Sequence, residues 1–262
     1  INPIFLRPRS SYYSPPNLNI SLQNRSNTAS QSKLILYREN VVSNFAIIFD
    51  SDGVVVDSEP FSLAAFKQAM TGHGIYLSQD DIMANCGLTD AAICDYVLCK
   101  FNQKVDIQSF HSRKQQLYEQ MISQGELKPC DGIEALLQKL QNARIPYALA
   151  SSGSRRKIHF NLTLTGLLEK FPIIVSGEEV SRGKPFPDVF LKAAEHLAMP
   201  AGSCVVIEDS LNGIEAARRA GMSCVAVAGT FPASALGAAD FVVDSLSQLE
   251  VENLKKLSIR VN

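Results

Sequence analysis

Three observations predict an α/β fold, a parallel sheet with helices on both faces and an all-helical insertion after its first strand. From residue 129 onward, short apolar runs alternate with amphipathic helical patterns. Two of the apolar runs end directly in acidic residues, FAIIFDSD and CVVIED. Between the first run and the second, residues 61–128 carry helical patterning and few strand candidates.

The first strand is read at 45–49. It is apolar on both faces, as a central parallel strand is when helices cover both sides of the sheet. The insertion holds helices at 61–72, 90–101 and 107–124, and the chain returns to the sheet near 129–132. An insertion after the first strand lies above the C-terminal strand ends, where open α/β sheets bind ligands. A helix at 132–141 puts Ile133, Leu136, Leu137 and Leu140 on one face. Strands follow at 145–151 and 173–175. The helix at 187–198 carries Val189, Phe190, Ala193, Ala194 and Leu197. The strand at 204–208 leads into a helix at 212–220, stopped by Gly221 as a C-cap. Strands at 224–227 and 241–243 complete the sheet. The resulting division is a core of 45–60 and 129–250, a helical cap of 61–128 and a C-terminal tail of 251–262.

Residues 1–44 stand apart. Residues 1–38 hold Arg7, Arg9, Arg25, Lys33 and Arg38 and no acid, among many Ser and Asn residues and Pro3, Pro8, Pro15 and Pro16. This basic, acid-free, Ser-rich composition predicts an organelle transit peptide, directing the chain to a plastid or mitochondrion if the source is eukaryotic; otherwise a cytoplasmic place is expected. A disordered tail has the same composition. The remainder carries 20 Lys+Arg against 25 Asp+Glu, a formal −5. A mildly acidic body argues against a nucleic-acid partner. No stretch approaches the roughly 20 apolar residues of a membrane span. The 6 cysteines form no CxxC pair or Cys/His zinc spacing and are read as reduced thiols. A monomer is expected.

The chemistry concentrates at strand ends. Asp50 and Asp52 follow the first strand two residues apart, so both point the same way along an extended chain. One carboxylate can attack while the other moves a proton. A solvated strand-end turn would have the same sequence. Glu208 and Asp209 end another strand, and a parallel sheet can gather them beside Asp50 as hard oxygen ligands suited to Mg²⁺. Ser210 and Asn212 read as caps of the next helix. The Ser151 hydroxyl, with the backbone N–H groups of Ser152 and Gly153, can hold phosphate oxygens, or Ser151 can cap a helix. Lys184 lies in a loop stiffened by Pro185 and Pro187 and is either a surface charge or a cation shared by nucleophile and phosphoryl group. His73, His111, His159 and His196 match no ligand spacing and are read as surface or packing residues. Arg155 and Arg156 begin a helix after the phosphate loop.

Taken together, DSDGVVVDSEP, the strand ending in Ser151, Lys184 before PFPDVF, and EDSLNGIEAARRAGM resemble the haloacid-dehalogenase superfamily, in its beta-phosphoglucomutase and sugar-phosphate phosphatase branch. The resemblance covers about residues 45–245 and implies a Rossmann-like core with a mobile helical cap. It implies Asp50 as nucleophile and Asp52 as general acid/base. Asp52 would also give a backbone carbonyl to Mg²⁺, alongside Asp50, Glu208 and Asp209. Ser151, Ser152 and Lys184 would bind the phosphoryl group. Two positions depart from the mutase pattern: Ser62 stands where His is usual, and Asp90 where the cap usually has Arg. An acid at 90 repels a second phosphate unless a cap cation such as Lys104, Arg113 or Lys114 compensates. The expectation is therefore a phosphatase for a small phosphorylated metabolite, a sugar or polyol phosphate. A hexose-phosphate mutase and a non-catalytic binding descendant are the alternatives.

Overall fold

The computed structural model describes residues 43–258. The expected transit segment lies almost wholly outside the described residues. Six parallel strands form one sheet: β1 (Ala46–Phe49), β2 (Tyr147–Ala150), β3 (Ile174–Val175), β4 (Cys204–Glu208), β5 (Ser223–Val227) and β6 (Phe241–Val243), in the spatial order β3-β2-β1-β4-β5-β6. The order reverses at β1, which puts the ends of β1 and β4 side by side at the switch point.

Alternation along β1 explains its apolar run. Phe45, Ile47 and Phe49 face one layer, built with Leu136 and Leu140 of α5 (Ile133–Asn142) and Ile158 and Leu162 of α6 (Arg155–Leu164). Ala46 and Ile48 face the other, with Val189 and Phe190 of α7 (Asp188–Leu197) and Ile214 and Ala217 of α8 (Leu211–Arg219). Each Val, Leu, Ile or Phe side chain among these, taken fully from water, stabilises the fold by roughly 1.5–3 kcal/mol.

The helical insertion between β1 and β2 has a core of its own. It comprises α1 (Glu59–Gly72), α2 (Gln79–Ala84), α3 (Asp90–Phe101) and α4 (Ile107–Gln124), around Phe66, Met70, Ile93, Val97, Phe110 and Leu117. Side-chain caps start its helices: Thr89 accepts from Ala92 N–H and Asp106 from Ser109 N–H. The two connections to the sheet pair with each other, through the Asp57 N–H to Lys128 (2.9 Å) and the Cys130 N–H to Val55 (3.0 Å).

Two helices went unread in the sequence. Helix α2 is only six residues long and is started by a Ser78/Asp81 capping box. The segment assigned to a C-terminal tail contains α9 (Val251–Ser258), whose Leu254 and Leu257 are buried in the layer beside Phe45. With only two buried apolar residues, its pattern was too short to separate from a loop. All six cysteines are free.

Candidate active site

Asp50 immediately follows β1 and is held there by its backbone N–H, which donates to Ile207 at 2.9 Å. Its carboxylate accepts from Lys184 Nζ at 2.5 Å. Lys184 is only 1% exposed and also donates to Glu208. The lysine read as a possible surface charge is thus a buried cation between two acids. The second oxygen of Glu208 accepts from the N–H groups of Asp209 and Ser210, both at 2.7 Å, and from the Ser210 hydroxyl at 3.0 Å. Glu208 therefore anchors Lys184 from one oxygen and the start of α8 from the other. Gly213 is required beneath it, because a Cβ there would lie 1.8 Å from Glu208 Oε1.

Asp209 is buried and accepts from the Thr230 hydroxyl. Gly53 lets the backbone after Asp52 pass close by: its φ is +78°, and a Cβ would lie 2.0 Å from Asp209 Oδ2. Ligand oxygens of Asp50, Glu208 and Asp209 lie within 4.8 Å of one another. Burial pushes the Asp50 carboxyl up to about 7, with Lys184 opposing and Glu208 reinforcing the shift. Burial, then Glu208 and Glu59, push Asp209 well above the ordinary carboxylate range. A cluster that crowded with anionic oxygen fits a hard divalent cation.

Asp52 is held differently. Its Oδ1 accepts from Ser58, from Lys157 Nζ at 2.8 Å and, more weakly, from Asn161 Nδ2 at 3.5 Å. Burial, the largest single influence, would raise its pKa, but the Lys157 charge together with the hydrogen bonds from Lys157 and Ser58 holds the carboxyl below its ordinary value. Lys157, Ser58 and Asn161 were not singled out in the sequence. Lys157 follows two arginines in the first turn of α6, and nothing in its spacing separated it from them. Those arginines lie outward, Arg155 on Glu179 and Arg156 on Glu119.

Ser151 is buried at the end of β2, where its Oγ accepts from Gly153 N–H at 3.0 Å. The Ser152 hydroxyl points away from it and donates to the carbonyl of Gly87 in the insertion at 2.7 Å. Asn212, read as a helix cap, donates instead to the carbonyls of Cys86 (2.8 Å) and Ala84 (3.3 Å). These three bonds seat the loop after α2 on the core. Together core and insertion enclose a cavity of about 570 Å³ lined by Asp50, Asp52, Ser151, Lys184 and Asp209 on the core side. Its other wall carries Asp90, which is paired with His111 Nδ1 at 2.6 Å and with Lys114. His111, taken from sequence for a surface or packing residue, therefore faces the cavity. Arg113 and Lys104 are exposed.

The model of the haloacid dehalogenase-like hydrolase family matches residues 47–227. The chain is similar to 5-amino-6-(5-phospho-D-ribitylamino)uracil phosphatase, chloroplastic, of Arabidopsis thaliana, 32% identical over 218 residues. That match takes in 80% of this chain and 57% of the relative, so the chain spans little more than half the relative's length. It is 34% identical over 218 residues to beta-phosphoglucomutase of Bacillus subtilis, covering 80% of this chain and 93% of that protein. Among solved structures it resembles CbbY from Rhodobacter sphaeroides in complex with phosphate. The TM-score is 0.70 at 26% identity, over 81% of this chain and 99% of the other.

Proposed function

The chain belongs to the haloacid dehalogenase-like hydrolases, and on that premise we propose that it is a Mg²⁺-dependent phosphatase of a small phosphorylated metabolite, a sugar or polyol phosphate. The observation that carries this reading is the placement of Asp50 and Asp52 on one cavity, with the buried Lys184 against Asp50 and an enclosing helical insertion above.

In this reading Asp50 attacks phosphorus. A bond forms from its carboxylate oxygen to phosphorus while the ester P–O bond breaks, and the leaving oxygen takes a proton from Asp52. A water then attacks the aspartyl-phosphate and gives its proton to Asp52. The Asp50–phosphorus bond breaks, so one ester and one water yield one alcohol and one phosphate. Lys184 steadies Asp50 before attack and balances charge on the transferring group. Ser151 and the backbone around Ser152 hold phosphoryl oxygens. Asp50, Asp209, Glu208 and the Asp52 backbone carbonyl would hold Mg²⁺, which offsets repulsion between a carboxylate nucleophile and a phosphate dianion. The insertion 61–128 acts as a cap over the core of 45–60 and 129–250, excluding bulk water and admitting only compact substrates.

Hydrolysis is favoured over phosphoryl transfer to a second sugar by the charge pairing of the cavity. Among the described residues lining it, Lys114 and His111 are paired with Asp90, Lys157 with Asp52, and Lys184 with Asp50 and Glu208. A mutase must grip a second phosphate with a cation, and here each candidate already has an acid. The mutase of Bacillus subtilis among the relatives keeps the alternative concrete. One assay separates them: protein with Mg²⁺, beta-glucose 1-phosphate and a trace of the 1,6-bisphosphate should release free phosphate. Stoichiometric glucose 6-phosphate with little free phosphate would overturn the phosphatase reading. A folded protein that never labels at Asp50 across a broad ester panel would favour a binding descendant.

We further propose that residues 1–44 direct the chain to a plastid. Their composition and the chloroplastic relative support this. A reporter fused to residues 1–44 that stays diffuse in the cytosol would count against it.

A further inference from the structure

We propose that Lys157 is a positioning residue for proton transfer: it clamps one oxygen of Asp52 so that the other faces the phosphate loop. This rests on the phosphatase reading above. The donors to Asp52 converge on Oδ1. Lys157 Nζ lies 2.8 Å from it, Ser58 donates to it, and Asn161 Nδ2 approaches at 3.5 Å. Among the described residues no donor is bonded to Oδ2. That oxygen lies on the side of the loop after Ser151: a Cβ built on Gly153 would stand 3.9 Å from Asp52 Oδ2 and 3.2 Å from Ser151 Oγ. The clamped carboxylate therefore presents its second oxygen toward the place where phosphoryl oxygens bind.

The lysine is poorly explained as packing alone. It sits in the first turn of α6, where the helix dipole disfavours a cation. Its ammonium is nevertheless drawn inward, with Nζ 2.9 Å from the Ser62 hydroxyl and 4.9 Å from the centre of the Tyr118 ring. Arg155 and Arg156 beside it take the outward course expected of a basic first turn. Tyr118 belongs to α4 of the insertion, and its hydroxyl donates to Asn161 Oδ1 at 2.7 Å. The same contact orients the Asn161 amide so that its Nδ2 turns to Asp52. Ser62 matters as a small side chain, leaving room for Lys157 to reach Asp52 from the core helix.

A group that orients the proton donor acts on the leaving oxygen and not on substrate affinity. An alkyl ester needs that proton and a nitrophenyl ester does not. Lys157→Met should lower kcat/KM, which reports transfer to Asp50 and not the later attack of water that both esters share, at least about tenfold more for glycerol 3-phosphate than for p-nitrophenyl phosphate, part of the roughly 10²–10⁴-fold that a positioned acid contributes. KM should change by less than about threefold, since uniform binding is untouched. Lys157→Arg should recover much of the alkyl rate. In an Asp52→Asn background, Lys157→Met should add nothing further to the alkyl defect.

Equal losses of kcat/KM on both esters, an effect confined to KM, or an undiminished effect in the Asp52→Asn background would overturn the assignment. If Lys157→Met does not fold, Lys157→Gln and Asn161→Ala remove a donor from the same oxygen and carry the same comparison. A wild-type protein that turns over neither ester with Mg²⁺ refutes the phosphatase reading and this assignment with it. A wild type that turns over both while the variants keep its alkyl-to-aryl ratio refutes this assignment alone.

Discussion

Replacing Lys184 with methionine removes the cation from the most acidic part of the molecule while keeping much of its packing. The lysine is 1% exposed, its Nζ 4.9 Å from the centre of the Phe190 ring, so a thioether of similar length fills the same path. The loss is then electrostatic. Asp50 at 2.5 Å and the fully buried Glu208 both lose their partner, with Asp209 close by. Breaking a buried pair by removing one member costs about 3–5 kcal/mol, because the remaining charge stays out of water. The cost depends on pH. With its pKa raised to about 7, Asp50 is mostly protonated at pH 5 and needs Lys184 little there. Glu208 then remains, with its other oxygen still bonded to two backbone N–H groups. At pH 8.5 Asp50 is charged in the wild type and the full loss applies. A domain of this size loses about 2–4 °C of Tm per kcal/mol, so a drop of about 6–20 °C is expected at pH 8.5 and a smaller one at pH 5. Thermal unfolding followed by circular dichroism in EDTA measures both. A loss below about 1 kcal/mol at pH 8.5, or the same loss at the two pH values, would refute the buried-pair argument.

Other outcomes follow from the same geometry. Asp50→Asn should abolish Mg²⁺-dependent release of phosphate from p-nitrophenyl phosphate, checked with a colorimetric phosphate assay; wild-type turnover would end the covalent reading. Mg²⁺ should raise Tm more at pH 8 than at pH 5. A carboxyl whose folded pKa lies above its unfolded 3.8 contributes its stability at low pH and loses it as pH climbs through about 7, and a bound cation restores it there. Equal Mg²⁺ shifts at both pH values in a melting series would contradict this. Asn212→Ala removes two bonds to the loop after α2, each worth about 0.5–1.5 kcal/mol. It should therefore speed amide hydrogen exchange across 84–87 without changing it in β1, and unchanged exchange in that loop would show the bonds to be dispensable. Ile48→Ala should cost about 2–5 kcal/mol by denaturant unfolding, because Ile48 is fully buried between β1 and the α7–α8 layer.

How much of this was legible beforehand depended on whether the physics was local. The sheet could be read because a parallel strand covered on both faces must be apolar throughout, and FAIIF and CVVI meet that requirement within four or five residues. The position of Asp50, Asp52, Glu208 and Asp209 at one edge could be read because they end or directly follow apolar strands, and parallel strands bring their C-terminal ends together. Helices α3 and α4 match the expected 90–101 and 107–124, and Thr89, Asp106 and Gly125 mark three of those ends in the chain itself. The rest is decided by distance in space. Whether Lys184 lay in water or in the core depended on Glu208, 24 residues away. Ser152 and Asn212 carry side chains suited to caps, yet their hydroxyl and amide are used by carbonyls of a loop more than 60 residues distant. His111 and Lys114 meet Asp90 only because α3 and α4 pack side by side. Lys157 reaches Asp52 only because α6 follows β2, the neighbour of β1 in the sheet. Sequence by itself determined the elements and the acids at their ends, since periodicity and strand-end chemistry act over a few residues. Only the tertiary structure decided which cations neutralise which acids, because in a buried site that choice is made by whichever charge the packing brings within about 3 Å, near enough to offset part of the cost of desolvation.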